Sequence, residues 1–284
     1  MENKIAIVVD SAGDVPESYM KDFNVRRVPL ILTFGTEERL DAEQCNLHDV
    51  FEYYEKEHEL PMTSAPTTEM FSQVFIPLIH QGYKILYLGA SSQFSRAYEN
   101  GKSFEKVFSE KVYAVDTRFT CAPVGLIVRK AHELIQNELP IQLIVKALEE
   151  YIYKIHSVFI INDFNFVKEI GNMNAVSGFF ASLMNVKPAL ELTAEKGVQS
   201  YKNYTGKYEK AVTTFIHDAF NRKMIYDDSV LIIAHTLVST YELERIRDEI
   251  LSIVPFKEVQ FVTAGSVVGS HMGKGALLFC YTEK

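Results

Sequence analysis

The sequence is poor in cysteine, in basic residues and in long apolar runs, and each shortage removes a class of protein. Cys45, Cys121 and Cys280 are few, odd in number and far apart. They read as buried thiols of a reducing compartment, not as a disulfide frame or a metal site. No apolar run approaches the ~20 residues that cross a bilayer. The opening Met1-Glu2-Asn3-Lys4 is too short and too acidic for a signal peptide and runs straight into a strand-like stretch; a cytoplasmic location is expected. Lys and Arg number 29 against 37 Asp and Glu, a net charge of −8, which argues against a nucleic-acid surface. It also means that an acidic ligand must be held by local donors, because the global field repels it. No Gly-x-Gly-x-x-Gly follows the first strand-like run, against dinucleotide binding, and no Gly-x-Ser-x-Gly elbow is present. Gly273-Lys274-Gly275 lacks the leading glycine and the following hydroxyl of a phosphate loop. There is no low-complexity segment, internal repeat or Pro/Gly/Ser linker.

What is present is an apolar chain of 284 residues, 47% hydrophobic and 12% aromatic, the aromatics all Phe or Tyr. This is enough for one large or two smaller cores. Ile5–Val9 is a continuous aliphatic run that suits a parallel strand buried on both faces. It is followed by a short helix from Pro16 with Asp14 as cap, a strand over Val28–Phe34, and a helix from Asn46 to Glu57. Beyond these come a helix from Thr67, a strand over Ile85–Leu88, a helix over Ser95–Phe108 and a strand over Val112–Val115. Helices near Ala122–Asn137 and Ile141–His156 complete a first α/β unit. A second alternation begins near Val158. Its expected helices are Phe164–Ile170, Ala175–Met184 and Lys207–Asn221, and its strands are Val186–Leu192, Val230–Ala234, Glu258–Thr263 and Ala276–Tyr281. The expected fold is therefore α/β in two domains, 1–157 and 158–284. The first has a mostly parallel sheet flanked by helices, the second a mixed sheet with helices, and a ligand sits in the cleft between them.

Three small polar segments flank apolar runs. Thr63-Ser64-Ala65-Pro66 precedes a helix, where hydroxyls serve as caps or as part of an anion site. Ser91-Ser92-Gln93-Phe94-Ser95 lies between a strand and a helix. Ser270-His271-Met272-Gly273-Lys274-Gly275 places an imidazole among glycines that allow close backbone approach. Asp10, Ser11, Asp116 and His235 also end strand-like runs, where capping and turn formation is the default role.

In order along the chain, Ile7-Val8-Val9-Asp10-Ser11, Val28-Pro29-Leu30 with Phe34-Gly35 and Asp41, Thr63-Ser64-Ala65-Pro66-Thr67, Ser91-Ser92-Gln93-Phe94-Ser95, Val115-Asp116-Thr117, Asn185-Val186-Lys187-Pro188 and the closing Ser270–Gly275 segment resemble the motifs of the DegV family. The resemblance implies a two-domain α/β carrier, not an enzyme. It would enclose one long-chain fatty acid such as palmitate, stearate or oleate and present its carboxylate to a separate fatty acid kinase of the DhaK/DhaL type, for phospholipid synthesis. Transient contact with a membrane surface is compatible with that role, and no cofactor or metal is implied. By position, the carboxylate donors would be Thr63 with Ser64, and Ser92 with Ser91, with His271 beside the head group. The chain departs from the pattern in four places. Arginine is missing from Glu169–Met173 and from the vicinity of Gly206, Arg96 stands where the family has glycine, and Lys274 stands where it has proline. Arg96 and Lys274 are therefore candidates for additional head-group contacts. Two other readings rest on the same residues: a serine hydrolase acting on a lipid or acyl ester through Ser92 and His271 with Asp10 or Asp116, and a nucleotide or sugar-phosphate binder at the strand ends.

Overall fold

The computed structural model describes residues 4–162 and 186–284. The helices expected at 164–170 and 175–184, the arginine-less Glu169–Met173 segment and Asn185 lie outside the described residues. In the first unit, β1 (Ile5–Asp10), β2 (Arg26–Val28), β6 (Lys84–Tyr87) and β7 (Val112–Ala114) form a parallel sheet in the order β2-β1-β6-β7. Alternation along β1 explains why its aliphatic run is continuous. Ala6 and Val8 face Phe71 and Phe75 of α3 (Thr68–His80), whereas Ile7 and Val9 belong to the core that holds α5 (Pro123–Gln136). Both faces are covered, so neither can carry polar side chains.

The second unit is a six-stranded mixed sheet, β10-β9-β8-β13-β11-β12. Its strands are β8 (Ile155–Ile160), β9 (Val186–Thr193), β10 (Gly197–Thr205), β11 (Tyr226–His235), β12 (Val259–Thr263) and β13 (Leu277–Glu283). Only β11 and β12 run parallel. The division expected at residue 157 falls inside β8. One face packs Phe279, Tyr281, Leu231 and Ile233 against α7 (Tyr208–Phe220) and α8 (Thr240–Leu251). The other face sends Ile232, Ala234, Leu278 and Cys280 into the core shared with the first unit. Helix α5 fills the space between the sheets. A Cβ on Gly125 would lie 2.9 Å from Pro16 Cδ and 3.0 Å from Ile232 Cδ1, so glycine sets how closely the two units approach through this helix.

A small antiparallel sheet, β4-β3-β5, extends the first unit with β3 (Ile31–Phe34), β4 (Glu37–Leu40) and β5 (Met62–Ser64). The single strand expected over Val28–Phe34 is thus two strands in two sheets. Pro29, with no N–H to pair, interrupts it, and the Leu30 N–H donates to Ser11 Oγ instead. Helix α2 (Leu47–Glu57) begins where expected. Asn46 Oδ1 accepts from the His48 N–H, and Asp49 reaches back to the Asn46 N–H at 2.7 Å. The helix expected over Ser95–Phe108 is a short α4 (Ala97–Lys102) followed by a 3-10 turn. That expected to reach His156 is α6 (Ile141–Ile152), which stops short because His156 is already part of β8. Strands β4, β5 and β10 and helix α8 have no counterpart among the expected elements; Thr63 and Ser64, expected in a loop before a helix, lie in β5. The Ser270-His271-Met272 segment, read as a glycine-rich loop, is instead the end of a helix, α9 (Ser266–Met272).

Candidate functional site

The carboxyl end of β1 organises the site. Asp10 is fully buried and its carboxylate accepts from Tyr87 OH at 2.7 Å, the Ala90 N–H at 2.8 Å and the Ala12 N–H at 3.1 Å. The Tyr87 and Ala90 donors stitch the exits of β1 and β6 together, and Gly89 is forced. A Cβ there would lie 2.0 Å from Asp10 Oδ2 and 2.2 Å from Tyr87 OH. Burial still pushes the Asp10 carboxyl above its ordinary value against those hydrogen bonds. Asp10 is a structural anchor for the 89–96 loop.

Two further buried carboxyls hold the start of α9 from the first unit. Asp14 does not cap α1 (Glu17–Asp22), whose N-cap position is Pro16. Its Oδ1 accepts from the Gly265 N–H at 2.8 Å, and Asp41 Oδ1 accepts from the Ser266 N–H at 3.1 Å. The second oxygen of each is buried and makes no hydrogen bond of good geometry among the described residues, with the Cys121 thiol beside Asp14 and the Ser11 and Ser266 hydroxyls beside Asp41. Burial pushes Asp14 up to about 7 and also raises Asp41, and their mutual repulsion adds to the rise at Asp14. The other end of α9 is fixed by the second unit. Thr236 Oγ1 donates to the Gly273 carbonyl and accepts from the Ala276 N–H, and Tyr208 OH donates to the Gly275 carbonyl. Gly273 and Gly275 have φ of 73° and 80°, a region in which a side chain is strained. Helix α9 is therefore gripped by one unit at each end.

Between the units lies a cavity of about 870 Å³. Its wall divides by chemistry. The first unit supplies most of the polar part: Thr63 and Ser64 of β5, Gln93, Ser95 and Arg96 of the loop into α4, and Asn100 of α4, with Thr120 nearby. The second unit supplies most of the apolar part: Phe159 and Ile161, Leu192, Val198 and Leu278 from the sheet, and Val267, Val268 and Met272 from α9. His271 adds an imidazole from the last turn of α9. The His271 side chain is open to solvent yet surrounded by protein, as the wall of a concavity requires, and burial pulls its pKa below the ordinary value, so it is neutral at pH 7. Arg96 is the one Lys or Arg on the described wall, which carries no Asp or Glu.

Of the residues expected to meet a ligand, Thr63, Ser64, His271 and Arg96 are brought together on this wall. Ser91, Ser92 and Lys274 are not. Ser91 is fully buried; its N–H donates to the Phe119 carbonyl at 2.8 Å and its Oγ accepts from the Gln93 N–H, so it shapes the loop that carries Gln93 to Arg96. Ser92 Oγ donates to Asp116 Oδ2 at 2.7 Å. Burial acts to raise Asp116, but hydrogen bonds from Ser92, Ser91 and the Arg118 N–H outweigh it and hold the carboxylate below its ordinary range. Lys274 is exposed, 4.0 Å from Glu55. Ser95, Gln93, Asn100 and Thr120 were not singled out from the sequence; the first two lay within a recognised motif, the others carried no signal.

Two other concavities are less suited to a ligand. One of about 150 Å³ lies at the amino end of β1, away from the strand exits. The other, about 530 Å³, is lined by groups that satisfy one another. Tyr19 OH donates to Glu258, Arg129 pairs with the same carboxylate, and Ser18 bonds Gln260. Among the described residues no His/Cys/Asp/Glu group is arranged to hold a metal ion, and no helix is long and apolar enough to cross a membrane.

Comparison with known proteins gives a consistent set. A family model described as "Uncharacterised protein, DegV family" matches residues 4–284. A DegV domain-containing protein of Halalkalibacterium halodurans is 27% identical over 286 residues, 99% of each chain. A Thermotoga maritima protein named fatty acid-binding protein is 25% identical over 295 residues, covering 97% of this chain and 96% of the other. A Thermus thermophilus structure described as fatty acid binding of a DegV family protein superposes with a TM-score of 0.87 at 25% identity, covering 98% of this chain and 99% of that one.

Proposed function

The chain belongs to the DegV family, and from that premise we propose that it binds one long-chain fatty acid in the cavity between its units and has no turnover of its own. The observation that carries this reading is a cavity wall with polar groups and a single Lys or Arg mainly from the first unit and apolar side chains mainly from the second. A fatty acid has the same division. Each buried methylene of the tail contributes ~0.8 kcal/mol. A carboxylate leaving water needs several donors converging on its two oxygens, and Thr63, Ser64 and His271 supply them on this wall. The fatty acid-binding descriptions of the Thermotoga and Thermus relatives support the same assignment.

The family resemblance supports a further step. The bound carboxylate is presented to a separate kinase in the cytoplasm, which forms an acyl-phosphate for phospholipid synthesis. The hydrolase reading is less well supported, because Ser92 Oγ donates to Asp116 and no hydrogen bond joins it to His271 among the described residues. Thermal unfolding with ligand panels tests the proposal. A fatty acid at a hundred times its Kd should add about 2.7 kcal/mol of stability, with no effect of ATP or NAD. Stabilisation by the nucleotides and none by fatty acids would overturn it.

A further inference from the structure

Arg96 stands apart from the other arginines of the chain. Each of the others lies within ion-pair distance of a carboxylate or, for Arg26, bonds an asparagine oxygen. The Arg96 side chain has no hydrogen bond or ion pair among the described residues, and it does not cap the helix it precedes. A guanidinium presents five donors and stays charged at any working pH. Here it lines a cavity whose described wall contains no Asp or Glu and whose His271 is held neutral by burial. The wall therefore carries one uncompensated positive charge inside a chain of net charge −8. Nothing in the packing requires an arginine at this position, which is exposed at the start of a six-residue helix.

We infer that Arg96 is the counter-ion of the ligand's head group and makes the site select ionised long-chain acids over neutral lipids of the same length. This rests on the fatty-acid reading of the cavity and adds the source of its charge selectivity. Thr63, Ser64 and Asn100 are neutral donors that also bond an alcohol or an ester, though less strongly than a carboxylate. Arg96 alone on the described wall distinguishes them by charge, through charge-assisted hydrogen bonds of the kind that guanidinium forms with carboxylates.

The test compares the full-length protein with Arg96→Gln, using one fatty acid and the fatty alcohol and methyl ester of the same chain length, at low and high salt. Unfolding curves establish that the variant is folded. The expected result is an affinity for the acid lower by about tenfold to a hundredfold in Arg96→Gln, with alcohol and ester affinities unchanged and the salt dependence of acid binding reduced. Equal weakening of acid, alcohol and ester would overturn the inference, since Arg96 would then act on cavity shape. Unchanged acid affinity would overturn it as well. Failure of the unaltered protein to bind the acid would remove the fatty-acid reading itself, and the inference with it.

Discussion

Replacing Asp14 by asparagine should change the pH dependence of stability in a defined direction. Asp14 is buried, accepts from the Gly265 N–H through one oxygen, and its other oxygen makes no hydrogen bond of good geometry among the described residues. Its pKa is pushed from an ordinary 3.8 up to about 7 by burial first, with repulsion from Asp41 added. The folded state therefore holds a proton that the unfolded chain releases. Stability from this group is fully present below the unfolded pKa, is lost as pH rises, and is gone above the folded pKa. A separation of about 3 units at 1.36 kcal/mol each amounts to roughly 4 kcal/mol. Some of that is already lost at about pH 5, so the fall between about pH 5 and pH 8 is roughly 2–3 kcal/mol. Asp41, raised by the same cause, slopes the same way. His132, His235 and His271, lowered by burial, slope the opposite way below their unfolded values. Comparison of wild type with Asp14→Asn by urea unfolding cancels those backgrounds. Asparagine keeps the acceptor for Gly265 and cannot ionise. The variant should gain on wild type by about 2–3 kcal/mol as pH rises from about 5 to 8. A difference that stays flat would refute the buried protonated carboxyl. A difference of the opposite slope would mean that Asp14 is a stabilised carboxylate.

Other expectations follow from the same geometry. Thr63→Val removes one hydroxyl from the polar wall; if it bonds the charged head group, fatty-acid affinity measured by calorimetry should fall about tenfold or more, at roughly 1.5–3 kcal/mol for such a bond. Val198→Phe puts extra volume on the apolar wall and should shift the preferred tail toward shorter acids, each lost methylene costing ~0.8 kcal/mol; an unchanged chain-length profile would place the tail elsewhere. Gly89→Ala drives a methyl group into the Asp10–Tyr87 hydrogen bond and should destabilise the fold by about 2–4 kcal/mol in chemical denaturation. A fluorophosphonate probe should leave Ser92 unlabelled, and labelling that disappears in Ser92→Ala would restore the hydrolase.

The fold was legible where local and global signals agree. The unbroken aliphatic run of β1, the Asn46 cap of α2 and the alternation of strands and helices each have one physical reading, and the structure follows them. Elements without a distinctive pattern were lost. Glu37-Glu38-Arg39-Leu40 is too charged to read as a strand, yet β4 pairs with β3 at the edge of a small sheet. In α8 the apolar residues Leu243, Ile246 and Ile250 are thinly spread among charges. Helix α9 misled most, because its glycines suggested a loop. Gly269 is there because the helix lies against Leu47, whose Cδ1 would be 2.1 Å from an added Cβ. At the candidate site, the motifs pointed to Thr63, Ser64 and His271 and a departure from them to Arg96, and the four share one cavity wall. Hydrogen bonding to Asp116 and burial of Ser91 could not be read from a pair of adjacent serines. The apolar wall comes from strand residues whose burial in a sheet core and exposure to a cavity look the same in sequence.

Native mass spectrometry of the purified protein, with extraction and identification of whatever is bound, tests the central claim most directly. The expected result is one long-chain fatty acid per chain, displaced by added fatty acids and not by their alcohols. A protein that carries no such mass and takes up none from a panel of saturated and unsaturated acids would contradict the carrier reading and leave the family relationship as a statement about fold alone.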